Sequence, residues 1–285
     1  MPEPSEEPRW ADAGSVVEPA DGKKDIGWLQ GERVPAEWLN WLFYTIWLWI
    51  VWFKTDKQSH LNGSLVGSPV VAYDGGSEIV VDGFKVVVND KIYDCTAGLT
   101  LEIPTLTANQ WYYLYVQDSG DGSPELDIQA TAPDSGRIFR ADSEAQRYLC
   151  SIRTDGAGAP LAFRYERGRC LYRVSEMGSA ALQVLSAQEN VTFTNVDLSD
   201  LLPPHARLAI VRWDFTRLTA NSSWFRLRTD GDSDQGWQTD IADITDSRQT
   251  GWLEIETSNL QVIEYRTEAD SSDCALSLWV PGYQE

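Results

Sequence analysis

The chain has no surplus of cations. Lys and Arg total 23 against 43 Asp and Glu, a formal net charge of −20. Nothing is left over to displace counterions from phosphates, so wrapping nucleic acid is excluded, and docking on an anionic membrane surface is disfavoured for the same reason. Cysteine is scarce: the four, at 95, 150, 170 and 274, include no CxxC pair, which excludes a zinc site built on paired thiolates. They read as reduced core residues, with a Cys150–Cys170 bridge as the lesser alternative. Only two histidines exist, His60 and His205, and neither lies in a nucleophile or metal motif. No Gly-x-Ser-x-Gly elbow, no Gly-rich phosphate loop between strand and helix, and no repeat of 20–50 residues is present. No catalytic residue, cofactor or metal site is expected, and the chain reads as non-enzymatic. A basic, then apolar leader is also missing: Met1-Pro2-Glu3-Pro4-Ser5-Glu6-Glu7-Pro8 is acidic, which points to synthesis in a cytoplasm.

What is present suffices for a core. The hydrophobic fraction is 42%, and 285 residues fit roughly two domains. Charge is uneven. Residues 176–285 hold 7 basic and 18 acidic residues, so a glycan bound there is expected to be neutral or cationic rather than sulfated.

Residues 1–34 are rich in Pro, Gly and charge and read as an extended arm, interrupted by Trp10, Ile26 and Trp28. A solvated tail has little use for tryptophan, so the arm is expected to lie on something. Residues 35–60 read as a helix opened by Pro35 at its first position. From Trp38 to Phe53 only Asn40 and Thr45 are polar, and Trp38, Trp41, Trp47, Trp49 and Trp52 fall inside the run. Leu39, Leu42, Ile46, Trp49 and Phe53 recur with heptad spacing. A helix apolar all round must be covered on all sides. A membrane span is disfavoured: the run is short of the roughly 20 residues a span needs, and tryptophans stand at its middle rather than at an interface.

From residue 64 the pattern turns to period two. Ile79–Val81, Phe84–Val88 and Lys91–Tyr93, separated by Asp82-Gly83 and Asn89-Asp90, read as a meander with tight hairpins. Trp111–Val116, Tyr148–Arg153, Leu161–Tyr165 and Cys170–Val174 complete a first β domain, 61–175. A second, 176–285, has expected strands near 191–196, 207–216, 222–229, 251–256, 260–266 and 274–280. The fold class is thus mainly β: an arm and a Trp-rich helix, then two antiparallel, sandwich-like domains. Asp230, Asp232 and Asp234 resemble the start of a calcium loop, but Gln235 and Ile241 stand where Gly and Glu belong, which leaves at most a weak site.

Strand alternation puts Trp224 with Arg226 and Arg228, Trp252 with Glu254 and Glu256, and Trp279 with Ser277 on the polar faces of their strands. Trp213, beside Val211 and Phe215, reads as core. Tryptophan among charges suits a subunit interface, a sugar-stacking platform, or a lid over an arginine. Trp224, Arg226, Trp252 and Trp279 are therefore the interface or ligand candidates.

Several stretches resemble one family. Lys23-Lys24-Asp25-Ile26-Gly27-Trp28, Gly31-Glu32, Pro35, Trp38 and Asn40-Trp41-Leu42 are similar to the N-terminal region of bacteriophage tail-fibre and related virion structural proteins. So are Tyr112-Tyr113-Leu114-Tyr115-Val116, the run Arg147–Asp155 with Phe163-Arg164 and Arg167-Gly168, and Val196-Asp197-Leu198 with Pro203-Pro204 and Ala206-Arg207. The resemblance covers most of residues 20–215. It implies a homotrimeric β-rich virion appendage with an N-terminal anchor, assembled in the host cytoplasm. Trp28, Trp38, Leu39, Asn40, Trp41, Leu42, Ile46, Trp49, Trp52 and Phe53 would then trimerise and anchor it to a baseplate, collar or capsid protein. A short helix excludes a long shaft. The competing readings are a helix that forms the core of a single monomer, and a carbohydrate-binding receptor module using the C-terminal tryptophans on a host surface glycan.

Overall fold

The computed structural model describes Pro19 and residues 33–89, 91–173, 179–217, 223–234, 236–241, 248–267 and 274–285, without the side chains of 51–61, 217, 223 and 239–241. The arm 1–34, with Trp28, lies almost wholly outside the described residues. The chain divides into two compact units, Met1–Asn62 and Gly63–Glu285.

In the first unit, helix α1 runs Ala36–Leu61. The Pro35 carbonyl accepts from the N–H of Trp38 (3.1 Å) and of Leu39 (3.3 Å), so Pro35 stands at the cap, one residue earlier than expected. Glu37 in the first turn suits the positive end of the helix dipole. Leu39, Phe43, Tyr44, Ile46, Leu48, Trp49 and Ile50 are 37–57% exposed and fall on every side of the helix at 100° per residue. No helix among the described residues is long and apolar enough to cross a membrane.

The second unit is antiparallel β throughout its described pairings. A three-stranded sheet runs β1 (Leu65–Val66), β4 (Phe84–Val88), β5 (Lys91–Cys95). A four-stranded sheet runs β8 (Pro124–Gln129), β7 (Trp111–Asp118), β10 (Ser143–Arg153), β9 (Phe139–Arg140). Another runs β14 (Thr194–Asp197), β19 (Val262–Thr267), β16 (Ser223–Thr229), β17 (Trp237–Ile241). The largest, with nine strands, runs β18 (Arg248–Glu256), β15 (Leu208–Arg217), β20 (Cys274–Gln284), β12 (Arg169–Tyr172), β11 (Phe163–Glu166), β2 (Val70–Tyr73), β3 (Glu78–Asp82), β6 (Leu99–Glu102), with β13 (Gln183–Gln188) also on β20.

Two expectations are corrected here. The meander fails at Asp82-Gly83: β3 pairs with β2 and β6, whereas β4 pairs with β1 and β5. A single residue, Gly83 at φ +77°, separates the two strands, too few for a two-residue hairpin loop, so the chain turns a corner between sheets. Asn89-Asp90 does link a true hairpin, β4 to β5.

The boundary at 175/176 also fails as a separation of domains. Along one edge of β20, Gly282, Tyr283 and Gln284 pair with Leu171, Cys170 and Arg169 of β12. Along its other edge they pair with Ile210, Ala209 and Leu208 of β15. The last strand thus joins both halves in one ladder. Hydrophobic contacts follow: one buried cluster runs from Val71, Ile79 and Phe84 through Leu114, Ile152 and Phe163 to Phe215, Phe225, Leu276 and Tyr283. The loop from 198 to 204 contributes Leu198, Leu201 and Leu202, all buried. All four cysteines are buried.

Leu278 is fully buried on β20 between β13 and β15, in the strand that carries this joint. Leu278→Ala is expected to cost about 2–5 kcal/mol in urea unfolding, through lost contacts and a residual cavity.

Candidate functional site

The tryptophan candidates do not converge. Trp224 lies on the four-stranded sheet of β14, β16, β17 and β19, whereas Trp252 and Trp279 lie on the nine-stranded sheet. Trp224 is half-buried, with the guanidinium of Arg226 at 4.9 Å and that of Arg266 at 5.4 Å from its ring. Trp279 takes the expected side of its strand, opposite Arg212, but is only 7% exposed, with the Arg212 guanidinium 4.9 Å from its ring. These two rings are occupied as partners of arginine, the third of the roles their composition allowed. Trp252 alone is open, 50% exposed on the outermost strand β18. Trp213 is core, 5.1 Å from Phe225.

On α1, Leu39, Ile46 and Trp49 are exposed, and Trp38, Asn40, Trp41 and Leu42 are half-buried. The side chains of Trp52 and Phe53 lie outside the described residues, as Trp28 does. The heptad positions are not distinguished from their neighbours by exposure. Asp230, Asp232 and Asp234 occupy the β16–β17 loop, and among the described residues no three His, Cys, Asp or Glu side chains are placed to hold a metal ion.

Sequence reasoning missed a buried polar knot. Tyr148 and Ser151 come from β10, His205 from the loop before β15, and Glu285 from the end of β20. The Tyr148 hydroxyl donates to Glu285 Oε2 at 2.7 Å, and the Tyr165 hydroxyl to the same oxygen at 3.3 Å. His205 Nε2 lies 3.1 Å from Tyr148 Oη, 3.2 Å from Ser151 Oγ and 3.4 Å from Glu285 Oε1. The Glu285 side chain is 4% exposed, and among the described residues its Oε1 has no hydrogen-bond partner. The imidazole stands edge-on to Tyr148 at 5.7 Å and tilted on Tyr113 at 5.9 Å. Burial, then the Glu285 carboxylate, raises the ionisation of both Tyr148 and Tyr165 well above the usual phenol range.

Serine, histidine and an acid meet here, but not as a hydrolytic triad. A triad places its hydroxyl and its carboxylate on opposite nitrogens of the ring. Both approach the same Nε2 here, and Ser151 is buried. The arrangement is a hydrogen-bonded tie between β10, the 198–207 loop and β20. No local pattern announces it, since its five members run from Tyr148 to Glu285, 137 residues apart.

Two clefts border the knot. One, of about 340 Å³, is lined by Arg137, Arg147, Tyr148, Tyr165, Arg167 and Glu285 among others. The other, of about 330 Å³, is lined by Tyr113, Asp134, Arg137, His205, Arg207 and Thr257 among others. Arg147 is spent on structure: Nη1 donates to the carbonyls of Arg137 (3.1 Å), Ile138 (2.7 Å) and Tyr148 (2.8 Å), and Nε to that of Gly63. Burial pulls its guanidinium below the ordinary arginine range.

No family model matches the chain, and no curated protein does. Among solved structures, a crystal structure of a Bacillus thuringiensis Cry1Da tryptic core variant aligns with 77% of the chain at 8% identity and a TM-score of 0.18. The chain spans about half the length of that protein. A score that low carries no argument about fold or function.

Two outcomes test the knot. Tyr148→Phe strips a donor from the buried carboxylate and is expected to cost about 1–3 kcal/mol in denaturant unfolding. Tyr148, Tyr165, Tyr172 and Tyr283 all ionise above the ordinary value of 10.0 in the fold, chiefly through burial. The stability this confers is intact below pH 10 and is lost as pH rises beyond it, because only the unfolded chain then releases these protons. Phenolate absorbance in an alkaline titration should therefore rise for these residues together with unfolding, not before it.

Proposed function

We propose that this chain is a non-enzymatic structural subunit of a bacteriophage virion, a short homotrimeric tail fibre or fibre-like adaptor. One observation carries the reading: seven large apolar side chains, between Leu39 and Ile50, are 37–57% exposed on a single helix. Soluble proteins avoid an apolar surface of that extent unless something covers it. Heptad spacing of Leu39, Leu42, Ile46, Trp49 and Phe53 suits three copies of α1 as part of that cover. The remaining tryptophans would face the arm or the socket of a baseplate, collar or capsid protein. The helix has 26 residues, about 39 Å at its standard rise, long enough for a plug and too short for a shaft. The β unit would project from that anchor, and the binding energy would come from buried aromatics in three linked copies.

The carbohydrate-binding alternative rests on Trp252, the one open ring among the three candidates. Glycan-array binding that disappears in Trp252→Ala would favour it.

Light scattering tests the primary reading. The full chain should have three times the 32.0 kDa chain mass, and a chain beginning at Asn62 should dissociate readily. Ile46→Asp in the full chain should do the same, since it buries an unpaired charge in the seam. A full chain that stays monomeric in dilute buffer overturns the reading.

A further inference from the structure

The cleft on the His205 side of the knot is built from three loops: 132–137, 204–207 and 257–259. Arg137 reaches it from a turn that is locked from within. Asp134 Oδ1 accepts the N–H of Ile138 at 2.8 Å and of Phe139 at 3.2 Å, and the Asp134 carbonyl accepts that of Arg137 at 2.9 Å. That turn holds Arg137 at φ +54°, a left-handed conformation costly for a non-glycine residue. Strain of this kind persists only where the surroundings impose it.

The charges in the cleft are unbalanced. Arg153, Arg164, Arg169, Arg173, Arg228 and Arg248 each lie within ion-pair distance of a carboxylate. Among the described residues, Arg137 and Arg207 have no such partner. Asp134 is the one carboxylate among the described residues lining the cleft, and its Oδ1 is taken by two backbone donors.

We propose that this cleft binds a small oxyanion, a carboxylate or a phosphate ester carried on a compact polar body. Two guanidiniums offer the planar donor fork that either anion accepts. Ser258 and Asn259 supply polar groups to the lining for the remainder of the ligand. The volume, about 330 Å³, stands at the small end of ligand sites. A long polyanion does not fit this setting, because the chain carries −20 overall and repels it beyond the cleft. A small anion feels mainly the nearby guanidiniums, since salt screens the remainder over about 8–10 Å. The proposal is independent of the virion reading.

Calorimetric titration of the full chain with glucuronate, glucose 6-phosphate and glucose is the test. At least one of the two anions binds and glucose does not; which anion binds tells carboxylate from phosphate. Arg137→Gln and Arg207→Gln each weaken that binding about tenfold or more, while Arg164→Gln, on the nine-stranded sheet, leaves it unchanged. Thermal melts confirm that the variants fold. If an arginine variant does not, Arg137→Lys and Arg207→Lys, which keep the charge and lose the planar fork, give the reading, with a smaller loss of affinity expected. Failure of both anions to bind, equal binding of glucose, or affinity indifferent to these substitutions overturns the proposal.

Discussion

The ladder made by β20 is the interaction on which the remaining architecture depends. Its final residues are hydrogen-bonded to β12 on one side and β15 on the other, so strands from both halves of the sequence share one sheet. The approach is close: a side chain at Gly282 would run into the Cys170 carbonyl. Beside it the register against β15 shifts between Ile210 and Arg212, so that Val280 and Pro281 face a single residue. That bulge is where a strand tolerates a proline, which has no N–H to give.

The same strand places the polar knot. Because β20 ends beside β12, Glu285 comes to lie beneath Tyr148 and Tyr165, and its buried carboxylate needs the donors it finds there. His205, on the loop that leads into β15, closes the knot from the other side. The clefts that border it are a consequence of this packing. Their cationic lining stands out in a chain whose overall charge is strongly negative.

Most individual strands were legible in the sequence. Period-two alternation located β3, β11, β12, β14, β15, β16, β18, β19 and β20 within a few residues but missed β17, and a nearly continuous apolar run located α1. Trp213 was assigned to the core by its face-sharing neighbours Val211 and Phe215. Pairing was not legible. Whether Gly83 closes a hairpin or turns a corner depends on which sheet offers partners, and whether β20 ends one domain or joins two depends on contacts more than a hundred residues apart. Alternation gave the correct side for Trp279 but not its burial, because Arg212 covers it from the neighbouring strand. Gln183–Gln188, read as a connector, pairs irregularly with β20, and its register shifts blur any alternation.

Helix α1 poses the complementary problem, an element whose apolar side chains stand exposed among the described residues, while the β unit buries its own. The claim that β20 makes one cooperative body of residues 63–285 is tested most directly by native-state hydrogen exchange across low denaturant concentrations. Amides of β12, β15 and β20 should lose protection in a single opening with one free energy and one denaturant dependence. Opening of β11 and β12 at distinctly lower free energy than β15 and β18 would contradict it, and would restore a boundary between two domains near residue 175.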